Sequence, residues 1–346
     1  MITAIDFGCY AIRSAYRTPS DHTRITMITE RSEYAVLSNQ SSCRETVIGR
    51  NIPCAECGDS TIVFGHHTDQ VRWLSRKPCA PLFADAAAPT DDAPARQILS
   101  LLTEAMLPRN MSNSTECFFT VPRGRLNPDN VKFLAHLTQM HGFVPRYFSA
   151  GPSVILSSGG ESLYTGVAIV IGAETSEISV SRHGIELAAE TIPIGANWID
   201  TELARQYEIW TWDETGECYL DLEAVREWKH NSRMHLRNCV GERARTLARL
   251  YGAVLNQIAR STRKLINSPA VTSALKGNRL AVYCAGGPTQ IGGFASTLTE
   301  RFVEHETADQ ILSVRTVDNA ETAVVRGLLI QGELEERRLS AAGTAA

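Results

Sequence analysis

The chain reads as an α/β protein made of two similar halves, each a sheet with helices around it. Three observations carry that reading. Ala4-Ile5-Asp6-Phe7-Gly8-Cys9 lines up with Ala168-Ile169-Val170-Ile171-Gly172-Ala173, each a buried strand ending in a glycine turn. Both are followed by two further strand patterns of period two and then by helical stretches of period 3.6. A length of 346 residues, 43% hydrophobic and 21% charged, supplies two cores and excludes a disordered chain or a coiled coil.

In the first half, strands are predicted over 2–7, 12–16 and 24–28, a meander with tight turns. Residues 31–80 are turn-rich and read as a small β-containing excursion. Ala84 to Pro94 is a loop. A helix over 94–107 places Ile98, Leu101, Leu102, Ala105 and Met106 on one face. A strand over 117–121 stops at Pro122. A helix opens at Asn127-Pro128 and runs to Met140, with the proline in its first turn. A strand over 144–148 and a short helix over 154–158 complete the half.

The second half repeats the order, with strands over 166–171, 177–182 and 185–192 and a helix over 198–206. Two strand-like runs, 208–212 and 217–222, flank an Asp213-Glu214-Thr215-Gly216 turn. Trp210, Trp212 and Trp228 are expected to fill a small core there, an exposed contact surface being the other use. Helices follow over 223–232 and 237–267, the latter with Leu247, Tyr251, Val254, Ile258 and Leu265 on one stripe. A strand over 280–284 runs into Gly286-Gly287, then come helices over 292–302 and 319–331. The tail after Leu339 is expected to fray.

The net charge of −4 and the lack of a long Lys/Arg run argue against a nucleic-acid partner. Arg243, Arg245, Arg249, Arg260 and Arg263 are read as the solvated face of an amphipathic helix. The N-terminus lacks the pattern of a signal peptide, and the apolar run around Val167–Ile171 is too short to span a bilayer. Nine scattered cysteines fit free thiols in a reducing compartment. Cys54 and Cys57 form a C-x-x-C near Cys43, His66, His67 and Cys79. Zinc would need four converging ligands, and the spacing matches no standard finger. Two strands flanking a Gly58-Asp59-Ser60 turn explain the same residues. No P-loop, zinc-protease or nucleophile-elbow motif occurs.

A glycine turn at a strand end aims several backbone N–H groups at one point and binds phosphate without a cationic side chain. Two such turns face to face would clamp a polyphosphate. A third, at Gly286-Gly287, would let a ligand approach the backbone. In this order the three turns resemble those of the actin, heat-shock chaperone and sugar-kinase superfamily, and within it the bacterial actin-like MreB family. Ile5-Asp6-Phe7-Gly8 is similar to its first phosphate loop, and Ile169 through Thr175 to its second. Tyr283 through Thr289, with Ile291-Gly292-Gly293-Phe294, is similar to its adenosine loop. Asp318 through Leu328 resembles its hinge helix, and Thr120-Val121-Pro122 its Val-Pro strand end.

The resemblance implies an actin-like fold of two duplicated ribonuclease-H-like domains, each a mixed five-stranded sheet flanked by helices. Domain I would take 1–150 plus 318–346, with a small subdomain at 31–80. Domain II would take 151–317, with a small subdomain at 193–240. It implies ATP or ADP with magnesium in an interdomain cleft. Asp6, Gly8, Cys9 and Tyr10 would form one wall, and Gly172, Ala173, Glu174 and Thr175 the opposite one. Gly286, Gly287 and Pro288 would lie against the adenosine, with Glu227 and Lys229 beside the ribose and base. Asp6 would hold magnesium through water. The other readings are a strand-end cap for Asp6, for which the magnesium role is preferred, an exposed turn residue for Glu174, which is preferred there, and, on equal terms with the ribose and base role, a solvated helix face for Arg226, Glu227 and Lys229.

This chain departs from the family pattern at three places. Val170 stands where the family has a metal-holding Asp. Ala150 and Gly151 stand where it has an acid that positions water. Glu174 replaces a glycine of the phosphate loop and would repel phosphate. Hydrolysis is therefore expected to be weak or absent. The function implied is a cytoplasmic cytoskeletal protein that polymerises head to tail, with membrane-associated cell-shape proteins as partners. A non-filamentous scaffold and a small-molecule kinase are the alternatives. For peripheral attachment at the inner face of the membrane, the Met106-Leu107 loop is the candidate, because the chain begins directly with a strand.

Overall fold

The computed structural model describes residues 2–344 apart from 19–20, 39–40, 59, 76, 110–114, 124–127 and 214. Asp59, Glu214 and the helix start at Asn127 lie outside the described residues.

Two five-stranded sheets share one topology. In the first, the order is Asp21–Arg31, Ala11–Thr18, Ile2–Phe7, Glu116–Thr120, Val144–Tyr147. In the second it is Ile185–Ile192, Ser176–Arg182, Gly166–Ile171, Leu280–Ala285, Ile311–Thr316. In both, the central strand pairs antiparallel with the following hairpin partner and parallel with the strand on its other side. The duplicated architecture expected from the repeated strand is therefore present. A four-stranded sheet, Cys54–Cys57, Ser60–Phe64, Glu33–Ser38 and Ala80–Pro81, forms the excursion on the first half. A hairpin, Trp210–Trp212 with Cys218–Leu220, projects from the second.

Side-chain alternation sorts the central strands between two cores. Ile5 and Phe7 join the outer core of the first half, while Ile2 and Ala4 face inward. Val167, Ile169 and Ile171 join the outer core of the second half, while Ala168 and Val170 face inward. The shared inner core is completed by Val154 and Ile155 of the helix Ala150–Ser158 and by Val324, Val325, Leu328 and Leu329 of the helix Ala323–Thr344. Small residues on the inner faces let these two helices sit close. A Cβ added at Gly327 would lie 1.9 Å from the backbone oxygen of Ser153. One added at Gly332 would lie 2.3 Å from Ile2 Cγ2.

Several expectations are corrected. The segment after Leu339 is helical through Thr344, continuing the same helix. The long helix begins at Glu242, because Gly241 carries φ +88° and ends the preceding irregular stretch. The strand Ile311–Thr316 and the helices Ser41–Gly49 and Pro269–Leu275 have no counterpart in the sequence reading. Trp210 and Trp212 do not fill a core: both occupy the exposed face of the two-residue-period hairpin, and only Trp228 packs inward. Met106 and Leu107 are buried in the outer core of the first half, so they offer no loop to a membrane. Among the described residues no helix is long and apolar enough to cross a bilayer. Cys54 and Cys57 lie on one strand, paired with Val63 and Ser60. Three residues apart on a strand, they point to opposite faces and cannot chelate together.

The Gly327 crossing gives a direct test. A Val at position 327 must displace backbone, since the obstructing atom belongs to Ser153. Gly327→Val is expected to cost about 1–3 kcal/mol by overpacking, read as a lowered urea midpoint. A midpoint equal to the parent's would show that the helices separate freely.

Candidate functional site

The inward faces of the two central strands meet at a cavity of about 1170 Å³. Alternation puts Asp6 on the same face as Ile2 and Ala4, and Val170 on the same face as Ala168, so both point toward the junction. All thirteen residues implicated by the resemblance line this one cavity, as do Val170 and Ala150. The three glycine bends, about 165 and 115 residues apart along the chain, come together at its floor.

Their backbone is set by close contact. A Cβ on Gly8 would lie 2.6 Å from the Ala11 oxygen. Gly172 donates its N–H to Thr175 O at 2.9 Å, closing the second bend. Its carbonyl accepts from Ala196 N at 3.0 Å, and that of Ala173 from Asn197 N at 2.8 Å, at the start of the helix Ala196–Gln206. Gly286 has φ +98°, and a Cβ there would lie 2.1 Å from Ile171 O, so the third bend is wedged against the second. Its N–H donates to Ala320 O at 2.9 Å, tying it to the segment that leads into the C-terminal helix.

Glu174 does not point free. Asn197 Nδ2 donates to its Oε1, and Asn197 Oδ1 in turn accepts from Arg226 at 2.8 Å. Lys229 and Arg226 both pair with Asp200, whose side chain is 2% exposed. Lys229 therefore neutralises a buried acid as well as lining the cavity, and Glu227 is exposed. Tyr10 sits between guanidinium groups from the two halves, Arg31 at 4.9 Å and Arg226 at 5.5 Å from its ring.

The floor is acidic. Burial raises the Asp6 carboxyl from 3.8 to about 6, with Arg13 pulling it partly back. Burial, then Glu174 and Asp6, push the Cys9 thiol well above its ordinary range. Glu177, missed by the sequence reading, also lines the cavity and is buried. Burial raises its pKa, while Arg123 and the Gly151 N–H work against that shift. A single signal pointed to it: an acid inside an otherwise apolar or small-residue strand, Ser176-Glu177-Ile178-Ser179-Val180. Glu177 is the cross-strand partner of Val170, in the place that Arg13 occupies opposite Asp6.

These residues fit a polyphosphate accompanied by a hard cation. Backbone bends supply donors, the acids repel an unaccompanied anion, and Asp6 offers a hard oxygen ligand. Arg13 lines this cavity, and its Nε is buried without a hydrogen-bond partner.

The cavity mouth is bridged. Glu223, on the helix Leu222–Asn231, meets Arg72 at 3.0 Å and Arg31 at 3.4 Å, both from the first half. Burial tends to raise its pKa, but Arg226, Arg72 and Arg31 prevail and hold it below the ordinary range.

Two predictions follow from these charges. In protein free of metal and nucleotide, the raised Asp6 pKa means the native state keeps a proton that the unfolded chain loses. This contribution is most favourable below the unfolded pKa and is lost as pH rises to about 6. Asp6→Asn is expected to stabilise the protein at pH 7.5 by up to about 3 kcal/mol and not at pH 3.5, measured by urea unfolding. An equal difference at both pH values would exclude a desolvated Asp6. Glu223→Gln is expected to speed amide exchange in 65–75 and 222–231 while leaving Gly166–Ile171 protected. Unchanged exchange would show that the bridge does not hold the mouth.

Against known proteins, the Volactin family model matches residues 1–332. No curated protein sequence matches. Among solved structures, MreB 5 of Spiroplasma citri bound to AMPPNP superposes with a TM-score of 0.70 at 13% identity, covering 99% of this chain and 98% of that one. A MamK double helical filament gives 0.68 at 15% identity, covering 96% and 98%. The ethanolamine utilization protein EutJ from Carboxydothermus hydrogenoformans gives 0.53 at 15%, covering 95% and 88%. At these identities the likeness is one of fold, and that fold is actin-like. The family match spans nearly the whole sequence, and the chain belongs to the Volactin family.

Proposed function

We propose that the chain is an actin-like cytoskeletal protein that binds ATP with magnesium in the cavity and assembles head to tail into filaments. The observation that carries this reading is the convergence of three glycine bends, from distant parts of the sequence, on one cavity between two duplicated sheets. Support for the ligand comes from the S. citri MreB 5 structure, which holds AMPPNP, and support for assembly from the MamK filament. A heterologous contact repeated along one axis makes an open polymer. Residence in the cytoplasm is part of the proposal. So is the division into domain I, 1–150 plus 318–346, and domain II, 151–317.

In this reading the backbone N–H groups at Gly8–Tyr10 and Ala173–Thr175 hold phosphate oxygens, while that of Gly172 closes the second bend on Thr175. Asp6 holds the cation through water. Gly286 and Gly287 lie against the nucleoside because no side chain stands in the way. Magnesium would offset the negative charge of Asp6, Glu174 and Glu177 near the phosphates. Val170 adds no oxygen ligand, so turnover is slow.

Calorimetric titration with ATP is expected to show one site in magnesium and at least tenfold weaker binding in a chelator. Sedimentation with magnesium and ATP is expected to pellet the protein. Binding without sedimentation would favour the scaffold reading, which the substitution of Val170 and Glu174 into the second bend also suits. Absence of binding in both conditions would overturn the nucleotide site itself.

A further inference from the structure

We propose that Glu174 makes this cavity prefer a nucleoside diphosphate to the triphosphate, with Asn197 as the positioning residue that holds the acid in place. The inference rests on the nucleotide-binding reading above and names the form of the nucleotide that the site retains.

Asp6, Glu174 and Glu177 all line the cavity, but only two of them have a cation at hand. Arg13 stands opposite Asp6 across the strand pair and pulls its pKa back against burial. Arg123 Nε lies 3.4 Å from Glu177 Oε2. Among the described residues no cation pairs with Glu174, whose side chain accepts from Asn197 Nδ2. Arg226 reaches Glu174 only through Asn197, and its own ion pairs are with Asp200 and Glu223.

The tether keeps that charge in the cavity. Asn197 is fixed at both ends. Its backbone N–H donates to Ala173 O at 2.8 Å, within the same bend, and its Oδ1 accepts from Arg226 Nη2 at 2.8 Å. Arg226 is anchored in turn on Asp200, whose side chain is 2% exposed. A glutamate on a free turn would swing into solvent, whereas this one is held by a chain of partners that ends in a buried acid.

The charge also reaches the opposite wall. Glu174 belongs to the second bend, yet after burial it is the largest influence pushing up the Cys9 thiol of the first bend, ahead of Asp6. A polyphosphate gripped by both bends therefore lies in the field of an acid without a counter-ion. Magnesium accompanies either nucleotide, so the difference between them is the γ-phosphate, which adds about one negative charge. Repulsion of one such charge at a partly buried site weakens binding by about tenfold.

The test is calorimetric titration of the full chain with ADP and with AMPPNP, both in excess magnesium, reading the ratio of the two Kd values. The parent is expected to bind ADP about tenfold more tightly than AMPPNP. Glu174→Gln keeps an acceptor for Asn197 and removes only the charge, so its ratio is expected to fall to within about twofold of one. Asn197→Ala frees the charged side chain to turn away, and its ratio is expected to fall to about threefold. Equal affinities in the parent, or a parent-like ratio in Glu174→Gln, would overturn the role of Glu174. A parent-like ratio in Asn197→Ala would overturn the positioning role of Asn197. These results leave the binding reading standing. A parent that binds neither nucleotide overturns that reading, and this inference with it.

Discussion

Two helices cross with no room for a methyl group between them, and the rest of the molecule is arranged around that contact. Gly327 rides on the backbone of Ser153, and Gly332 on Ile2 and Phe118. The inner strand positions are correspondingly small: Ala4, Ala168, Ala281 and Ala285. Because the helices are close, the sheets they cover are close, and the ends of the two central strands open on one space. Dense packing of this kind is unforgiving of added volume. It converts a duplicated sequence pattern into a single cavity with two matching walls.

That cavity is lined by acids and bases together. Asp6, Glu174 and Glu177 all line it, and burial keeps Asp6 and Glu177 reluctant to ionise. The neighbouring cations are distributed to contain them: Arg13 near Asp6, Arg123 near Glu177, and Arg226 behind Asn197, which tethers Glu174. A site of this composition costs stability when empty, as functional sites commonly do.

Much of this was legible in the sequence. The repeated strand with its glycine turn gave the duplication, and the resemblance pointed to thirteen residues that the structure gathers at one cavity. What escaped did so for physical reasons. Ile311–Thr316 is an edge strand with Leu312 exposed, so its alternation is weak. Trp210 and Trp212 have the composition of a core but sit on a free hairpin face, a choice made by tertiary packing alone. Glu177, Arg123 and the Glu223 bridge depend on contacts between segments up to 192 residues apart, which no local pattern encodes. Met106 and Leu107 look like a loop end in the sequence, yet the core of the first half covers them.

The bridge at the cavity mouth has an optical consequence. Trp73 follows Arg72 directly, is largely exposed, and has the Arg50 guanidinium 5.4 Å from its ring. Trp228 lies between Arg226 and Lys229 in sequence, with Arg243 at 4.5 Å from its ring. Each half thus carries an indole immediately beside a residue that spans or lines the mouth. Intrinsic emission, sensitive to nearby charge and to solvent, will register the separation of the halves without any attached dye.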